Sequence, residues 1–187
     1  MTSLNGTPFL NSALHTKLYI PPRRAGLIER PRLLERLADG LRQAHKLILI
    51  SAPAGFGKTT LLSAWASEIR NPRGASKIQN RIAWFSLDED DNDTTRFFTH
   101  MVAALETAQS GVCAETSALL QSLQPLPPKA VLASLVNDLA TLSFDVVLVL
   151  DDYHAIEQGA IHTALTYLLD HLPPALHLVI ASRTDPH

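Results

Sequence analysis

Apolar residues along the chain switch between a helical period and short unbroken runs, and the alternation predicts an α/β protein. Leu33, Leu34, Leu37 and Leu41 recur at helical spacing, which predicts a short amphipathic helix over Arg32–Gln43. Leu47–Ile50 is a compact apolar run closed by Ser51-Ala52-Pro53 and predicts a buried strand. From Thr59 to Arg70 the helical period returns through Leu61, Leu62, Trp65, Ala66 and Ile69, so this helix starts inside a glycine turn. Arg81–Ser86 reads as a second strand, with the acidic turn Asp88–Asp93 behind it. Asp93 or Thr94 is placed to cap a helix that runs to about Ser110. Helical spacing resumes over Glu115–Leu123, breaks at Pro125-Leu126-Pro127-Pro128 and returns over Lys129–Leu142. A strand over Asp145–Leu150, a helix over Gln158–His171 stopped by Pro173-Pro174, and a last strand over His177–Ser182 complete the pattern.

Strands that are apolar almost throughout, each separated by helix, imply a parallel sheet covered on both faces. Such sheets take their ligands at the carboxyl ends of the strands. Upstream, Lys17-Leu-Tyr-Ile-Pro-Pro-Arg-Arg24 is expected to be extended, because each proline biases its predecessor away from the helical region. Residues 1–16 are polar and aperiodic and are expected to form a flexible leader, which leaves 17–187 as one domain.

Composition narrows the function. At 187 residues and 46% hydrophobic, the chain is long enough for one well-buried core. A formal net charge of −2 argues against a nucleic-acid surface, which needs clustered Lys and Arg to neutralise phosphates. The single Cys113 has no cysteine partner and is expected to be a small buried hydrophobe in a reducing cytoplasm. No apolar run approaches the roughly 18 residues of a membrane span, and Met1–Leu10 lacks the pattern of a signal peptide. A cytoplasmic location without membrane attachment is expected.

The chemistry is concentrated in two motifs. Ala52-Pro-Ala-Gly-Phe-Gly-Lys-Thr59 has the spacing of a Walker A phosphate loop, with Ala52 where glycine is commonest. Gly55 and Gly57 let the backbone turn its N–H groups inward, and the helix start adds partial positive charge. Ala54, Gly55, Phe56, Gly57, Lys58, Thr59 and the following Thr60 are therefore the expected ATP or ADP contacts. Lys58 is expected to bridge the β- and γ-phosphates and the Thr59 hydroxyl to ligate Mg²⁺. The second motif, Val146-Val-Leu-Val-Leu-Asp-Asp152, is an apolar strand delivering two carboxylates. Asp151 is expected to hold Mg²⁺ through water, and Asp152 to orient or deprotonate the attacking water. Arg183, just past the last strand, is placed to reach a γ-phosphate. His154 follows the carboxylate pair and either hydrogen-bonds in the site or pins its loop. The acidic turn lacks the glycine and terminal glutamate of a calcium loop and is expected to be a solvated turn before a helix. Trp65 and Trp84 are expected in the core.

Beside these motifs stand Lys17–Arg24, Leu27-Ile-Glu-Arg-Pro-Arg-Leu-Leu34, Trp84-Phe-Ser-Leu-Asp-Glu-Asp-Asp-Asn-Asp93, Leu150-Asp-Asp-Tyr-His154 and Leu178-Val-Ile-Ala-Ser-Arg-Thr-Asp-Pro186. In that order they resemble the N-terminal ATPase domain of the large ATP-binding LuxR-type, MalT-like transcriptional regulators, which are signal-transduction NTPases with numerous domains. The resemblance spans about residues 17–187. It implies a three-layer P-loop NTPase of the additional-strand class with strand order 81–86, 145–150, 177–182, 46–51, cut before its fifth strand. It further implies slow ATP hydrolysis, self-association of the full regulator, and DNA contact only through a C-terminal helix-turn-helix outside this sequence. Arg30 would lie near the adenosine, Asp151 and Asp152 would be the Walker B pair, and Arg183 the sensor arginine. A small P-loop kinase and a non-hydrolysing ADP-holding scaffold stay open as alternatives. The acidic balance generates a first expectation: the isolated chain shows no salt-sensitive, sequence-specific binding to duplex DNA. Fluorescence-anisotropy titrations at two salt concentrations check it.

Overall fold

Leucine and valine fill β3 (Val146–Asp151) up to its last residue, leucine, valine and isoleucine make up most of β4 (Leu176–Ser182), and every residue of both strands is buried. Strands of this kind need cover on both faces, and the computed structural model, which describes residues 15–22, 30–70, 81–122 and 127–185, provides it. With β1 (Leu47–Ser51) and β2 (Arg81–Ser86) they make one four-stranded sheet, all pairs parallel, in the order β1-β4-β3-β2. This is the order implied by the resemblance. The period-two alternation of side chains then sorts the core into two halves. Trp84, Val147, Val149 and Val179 face α1 (Pro31–Arg42) and α2 (Lys58–Arg70), where Leu37, Leu62 and Trp65 meet them. Phe85, Leu148, Leu150 and Ile180 face the opposite layer, built by α3 (Thr94–Ala108), α5 (Pro128–Ala140) and α6 (Gly159–Asp170). The short α4 (Ala114–Leu120) packs between α3 and α5. Cys113 is buried, as expected, and burial pushes its thiol pKa up, with the Glu106 and Asp138 carboxylates adding to the shift.

The helix and strand boundaries fall within a few residues of the sequence expectations, but three expectations change. β1 is not a buried strand: Leu47 is 39% and Leu49 43% exposed. It lies at the sheet margin, paired to β4 on one side, and the helical layer that buries Leu178 and Ile180 does not extend over it. His15–Leu18 is a short 3₁₀ turn rather than the end of a leader and the start of an extended stretch. Residues 1–14 and 23–29, which carry the rest of those two expectations, lie outside the described residues, as does Leu123–Leu126 of the proline break.

The largest change concerns the acidic turn. Glu89–Asn92 is a 3₁₀ helix closed by a reciprocal capping box between Asp88 and Asp91, and Asp93 caps α3 through Arg96 N–H. The turn is solvated at Asp88, Glu89, Asp90 and Asp93, as expected, but Asp91 is fully buried. The Lys17 ammonium donates to Asp91 Oδ2 at 2.7 Å and to Asp88 Oδ1 at 2.6 Å, and His100 Nδ1 lies 2.7 Å from Asp91 Oδ1. A buried ionised carboxylate is tolerated only when paired and hydrogen-bonded, and these partners meet that requirement. Burial by itself raises the Asp91 carboxyl, yet the His100 ring, the Lys17 ammonium and the Asp88 N–H together hold it below its usual 3.8. A depressed carboxyl stabilises the fold above that usual value and loses its contribution as pH falls through the lowered one. Lys17→Met strands Asp91 with its remaining donors. It is expected to cost about 3 kcal/mol, the low end for breaking a buried pair, since His100 and the Asp88 N–H stay in place. Denaturant unfolding at pH 7 measures the loss.

Candidate nucleotide-binding site

The parallel register sets the site. Ser51 pairs with Ser182 at the ends of β1 and β4, and Ala52 N–H still donates to Ser182 O at 3.3 Å. The loop after β1 and Arg183 after β4 therefore leave the sheet side by side. On the other flank of β4, β3 ends at Asp151. Three chain ends thus open into one cleft of about 430 Å³, within the size range of small-molecule sites.

Gly55 and Gly57 adopt φ of +81° and +79°, a region costly for residues with a Cβ, which accounts for glycine at these two places. The turn they make ends at Lys58, the first residue of α2. Lys58 is almost fully buried, and its ammonium donates to Ala52 O at 2.7 Å and Pro53 O at 3.3 Å. A strand end, a glycine loop and a helix N-terminus so joined make a site for anionic phosphate.

The cleft brings together Ala54, Gly55, Gly57, Lys58, Thr59, Thr60, Asp152 and Arg183 from the expected residues. It adds Pro21, Pro22 and Ser63. Ser63 lies one turn along α2 from Thr59 and Thr60, a helical neighbour that the loop motif does not include. Pro21 and Pro22 were legible only as an extended stretch; their place at the site is a tertiary fact. Phe56 and Arg30 do not line this cleft. Arg30 donates to Phe56 O at 2.9 Å and grips the loop from outside, where both border a second groove of about 560 Å³ beside β1. Phe56 is 59% exposed.

Asp151 sits behind the cleft, only 1% exposed. Burial raises its carboxyl pKa, the nearby Asp152 raises it further, and the Thr59 hydroxyl and Lys58 pull the other way. A carboxylate so placed, with a hydroxyl at its side, suits a hard cation that takes oxygen ligands. Mg²⁺, which accepts one or two protein oxygens and completes its shell with water and phosphate, fits these donors.

Asp152 adopts the left-handed conformation at φ +58°, ψ +38°, a cost of about 1–2 kcal/mol for a non-glycine residue. Its N–H donates to Asp151 Oδ1 at 3.1 Å, and its carbonyl accepts from Ala155 N–H at 3.0 Å. The kink turns its half-exposed carboxylate into the cleft. His154 Nδ1 lies 3.8 Å from Asp152 Oδ1 and has no hydrogen-bond partner among the described residues. Burial and the positive charges of Arg183 and Lys58 lower its pKa against the opposing pull of Asp152, which keeps the imidazole neutral at pH 7. Tyr153 is buried behind it, its hydroxyl 2.6 Å from His162 Nδ1 and its pKa pushed up to about 12 by burial.

Fold and cleft together define a P-loop ATPase domain. The chain belongs to the AAA ATPase domain family, whose model matches residues 26–181. Within curated proteins it is similar to the HTH-type transcriptional regulator MalT of Yersinia pestis (strain Pestoides F), 39% identical over 171 residues and 91% of this chain. MalT of Yersinia enterocolitica serotype O:8 matches to the same extent. The chain spans 18% of the length of these relatives. In fold it resembles Cdc6p from Pyrobaculum aerophilum, with a TM-score of 0.57 and 18% identity over 89% of this chain and 41% of that one.

The geometry generates a direct expectation for Lys58→Ala. Loss of a charge-assisted bond to phosphate contributes about 1.5–3 kcal/mol, so affinity for ATP and ADP falls by one to two decades. Isothermal calorimetry on the folded variant measures it, and unchanged affinity removes the phosphate-loop assignment.

Proposed function

We propose that this domain binds Mg²⁺·ATP, hydrolyses it slowly to ADP, and serves as the nucleotide-dependent switch of a MalT-like transcriptional regulator. The observation that carries the reading is the convergence of Lys58, Asp152 and Arg183 on one cleft, with buried Asp151 beside Thr59 at its back. Residues 17–187 act as the nucleotide-binding unit. Contact with DNA belongs to a helix-turn-helix region outside them, and the working regulator self-associates in the cytoplasm. Among the described residues, no helix is long and apolar enough to cross a membrane.

Thr59 and Asp151 are the residues that would hold Mg²⁺, which when bound supplies charge neutralisation at the phosphates. The backbone N–H groups from Ala54 to Thr60 bind and orient the phosphate chain, and the Lys58 ammonium meets the β- and γ-phosphates. Asp152, half-exposed at its carboxylate and kinked into the cleft, orients the attacking water and accepts its proton. Arg183 meets the charge that builds on the γ-phosphate as the bond to the β-phosphate lengthens. Because Arg183 follows β4 while Lys58 opens α2, the pair brackets the transferred group from two sides and distinguishes ATP from ADP. Arg30, which holds the carbonyl of Phe56, steadies the loop.

Asp152→Asn keeps the shape of the cleft and removes the proton acceptor. Turnover is expected to fall by about 10² or more, the usual weight of a general base, while affinity for Mg²⁺·ATP stays within twofold. Single-turnover hydrolysis and equilibrium binding of the same preparation separate the two effects. Parent-like turnover in Asp152→Asn overturns the assignment.

A further inference from the structure

The side chain of Asn92 makes four hydrogen bonds, which is the full donor and acceptor complement of a planar amide used in one direction each. Nδ2 donates to Glu89 O at 3.0 Å and to Ala155 O at 2.8 Å; Oδ1 accepts from Glu157 N–H at 2.7 Å and Gln158 N–H at 2.9 Å. Three of those partners lie 63 to 66 residues further along the chain, in the segment that directly follows the carboxylate pair. The same turn holds Lys17 through Asp88 and Asp91, four residues before Pro21 on the opposite wall of the cleft.

Asp152 needs such support. Its left-handed backbone is strained, and strain persists only where neighbouring structure over-determines it. The carboxylate itself is about half exposed, with no hydrogen bond from another side chain among the described residues. What keeps it aimed is the backbone from 152 to 158, and Asn92 is the amide that ties that backbone to the acidic turn.

We propose that Asn92 is a positioning residue for Asp152: by clamping Ala155, Glu157 and Gln158 it holds the water-activating carboxylate in the cleft. The proposal rests on the hydrolytic reading of the site. A one-ångström misplacement of a catalytic group costs about 10² in rate, so loss of the clamp acts on turnover far more than on binding.

The test uses the full 187-residue chain and Asn92→Ala, with Asn92→Asp as the conservative variant, since it keeps both acceptor contacts, to Glu157 and Gln158 N–H, and loses both donor contacts, to Glu89 O and Ala155 O. In Asn92→Ala, single-turnover ATP hydrolysis is expected to fall at least tenfold, with the Kd for ADP within twofold of the parent. Asn92→Asp is expected to recover part of that loss through the two acceptor contacts it keeps. Amide hydrogen exchange over 152–158 is expected to quicken in Asn92→Ala while exchange in β3 and β4 stays at the parent rate. Parent-like turnover in Asn92→Ala, or unchanged exchange over 152–158, overturns the proposal. If the parent chain shows no turnover above that of Asp152→Asn, the hydrolytic reading fails on its own, and the exchange data still decide whether Asn92 holds the loop.

Discussion

The parallel register of β1, β4 and β3 is the constraint on which the rest of the molecule depends. Pairing Ser51 with Ser182 brings the phosphate loop and Arg183 out of the sheet together, and β3 on the far side of β4 delivers the two carboxylates to the same edge. No side-chain contact between the motifs is needed to assemble them. Apolar burial on both faces of β3 and β4 fixes the register, because a one-residue slip would turn each row of Val and Leu toward the wrong helical layer.

At the carboxyl ends the balance of forces reverses. The strands gain stability by excluding water, whereas the groups they carry are charged and lose hydration there. The protein resolves the conflict differently at two places. In the acidic turn, Asp91 is buried among Lys17, His100 and the Asp88 N–H, a saturated set that holds its carboxyl down. At the cleft, Asp151 is nearly as buried but incompletely compensated, so its carboxyl is held up. A satisfied carboxylate stabilises the fold, while an under-compensated one beside a hydroxyl and a phosphate loop is poised for a cation. Burial, with the positive charges of Arg183 and Lys58, lowers the His154 pKa, and the same two charges suit a polyphosphate.

Much of this was legible along the chain. The order and type of the elements followed from where the apolar period changed, and the strand order implied by the resemblance is the one observed. The glycines of the loop, Lys58, Thr59 and the Asp151–Asp152 pair were readable because a phosphate loop and a strand-end carboxylate are local devices. Each is encoded within about eight consecutive residues whose backbone geometry follows from their own chemistry. Arg183 was readable for the same reason, one residue past a strand end.

What the sequence could not decide depends on groups far apart along the chain. Lys17 looked like part of an extended stretch, and the burial of Asp91 within an otherwise solvated acidic turn was not legible, because neither segment encodes the other 71 to 74 residues away. Pro21 and Pro22 enter the cleft just past a segment anchored by that ion pair and by the buried Leu18. β1 looked like a buried strand from its four apolar residues alone, although the strand order implied by the resemblance already set it at the margin, where Leu47 and Leu49 are exposed. Local chemistry is written in neighbouring residues and can be read from them. Burial, and with it the charge state and aim of each carboxylate, is a property of what packs around a residue, and only the tertiary structure supplies that.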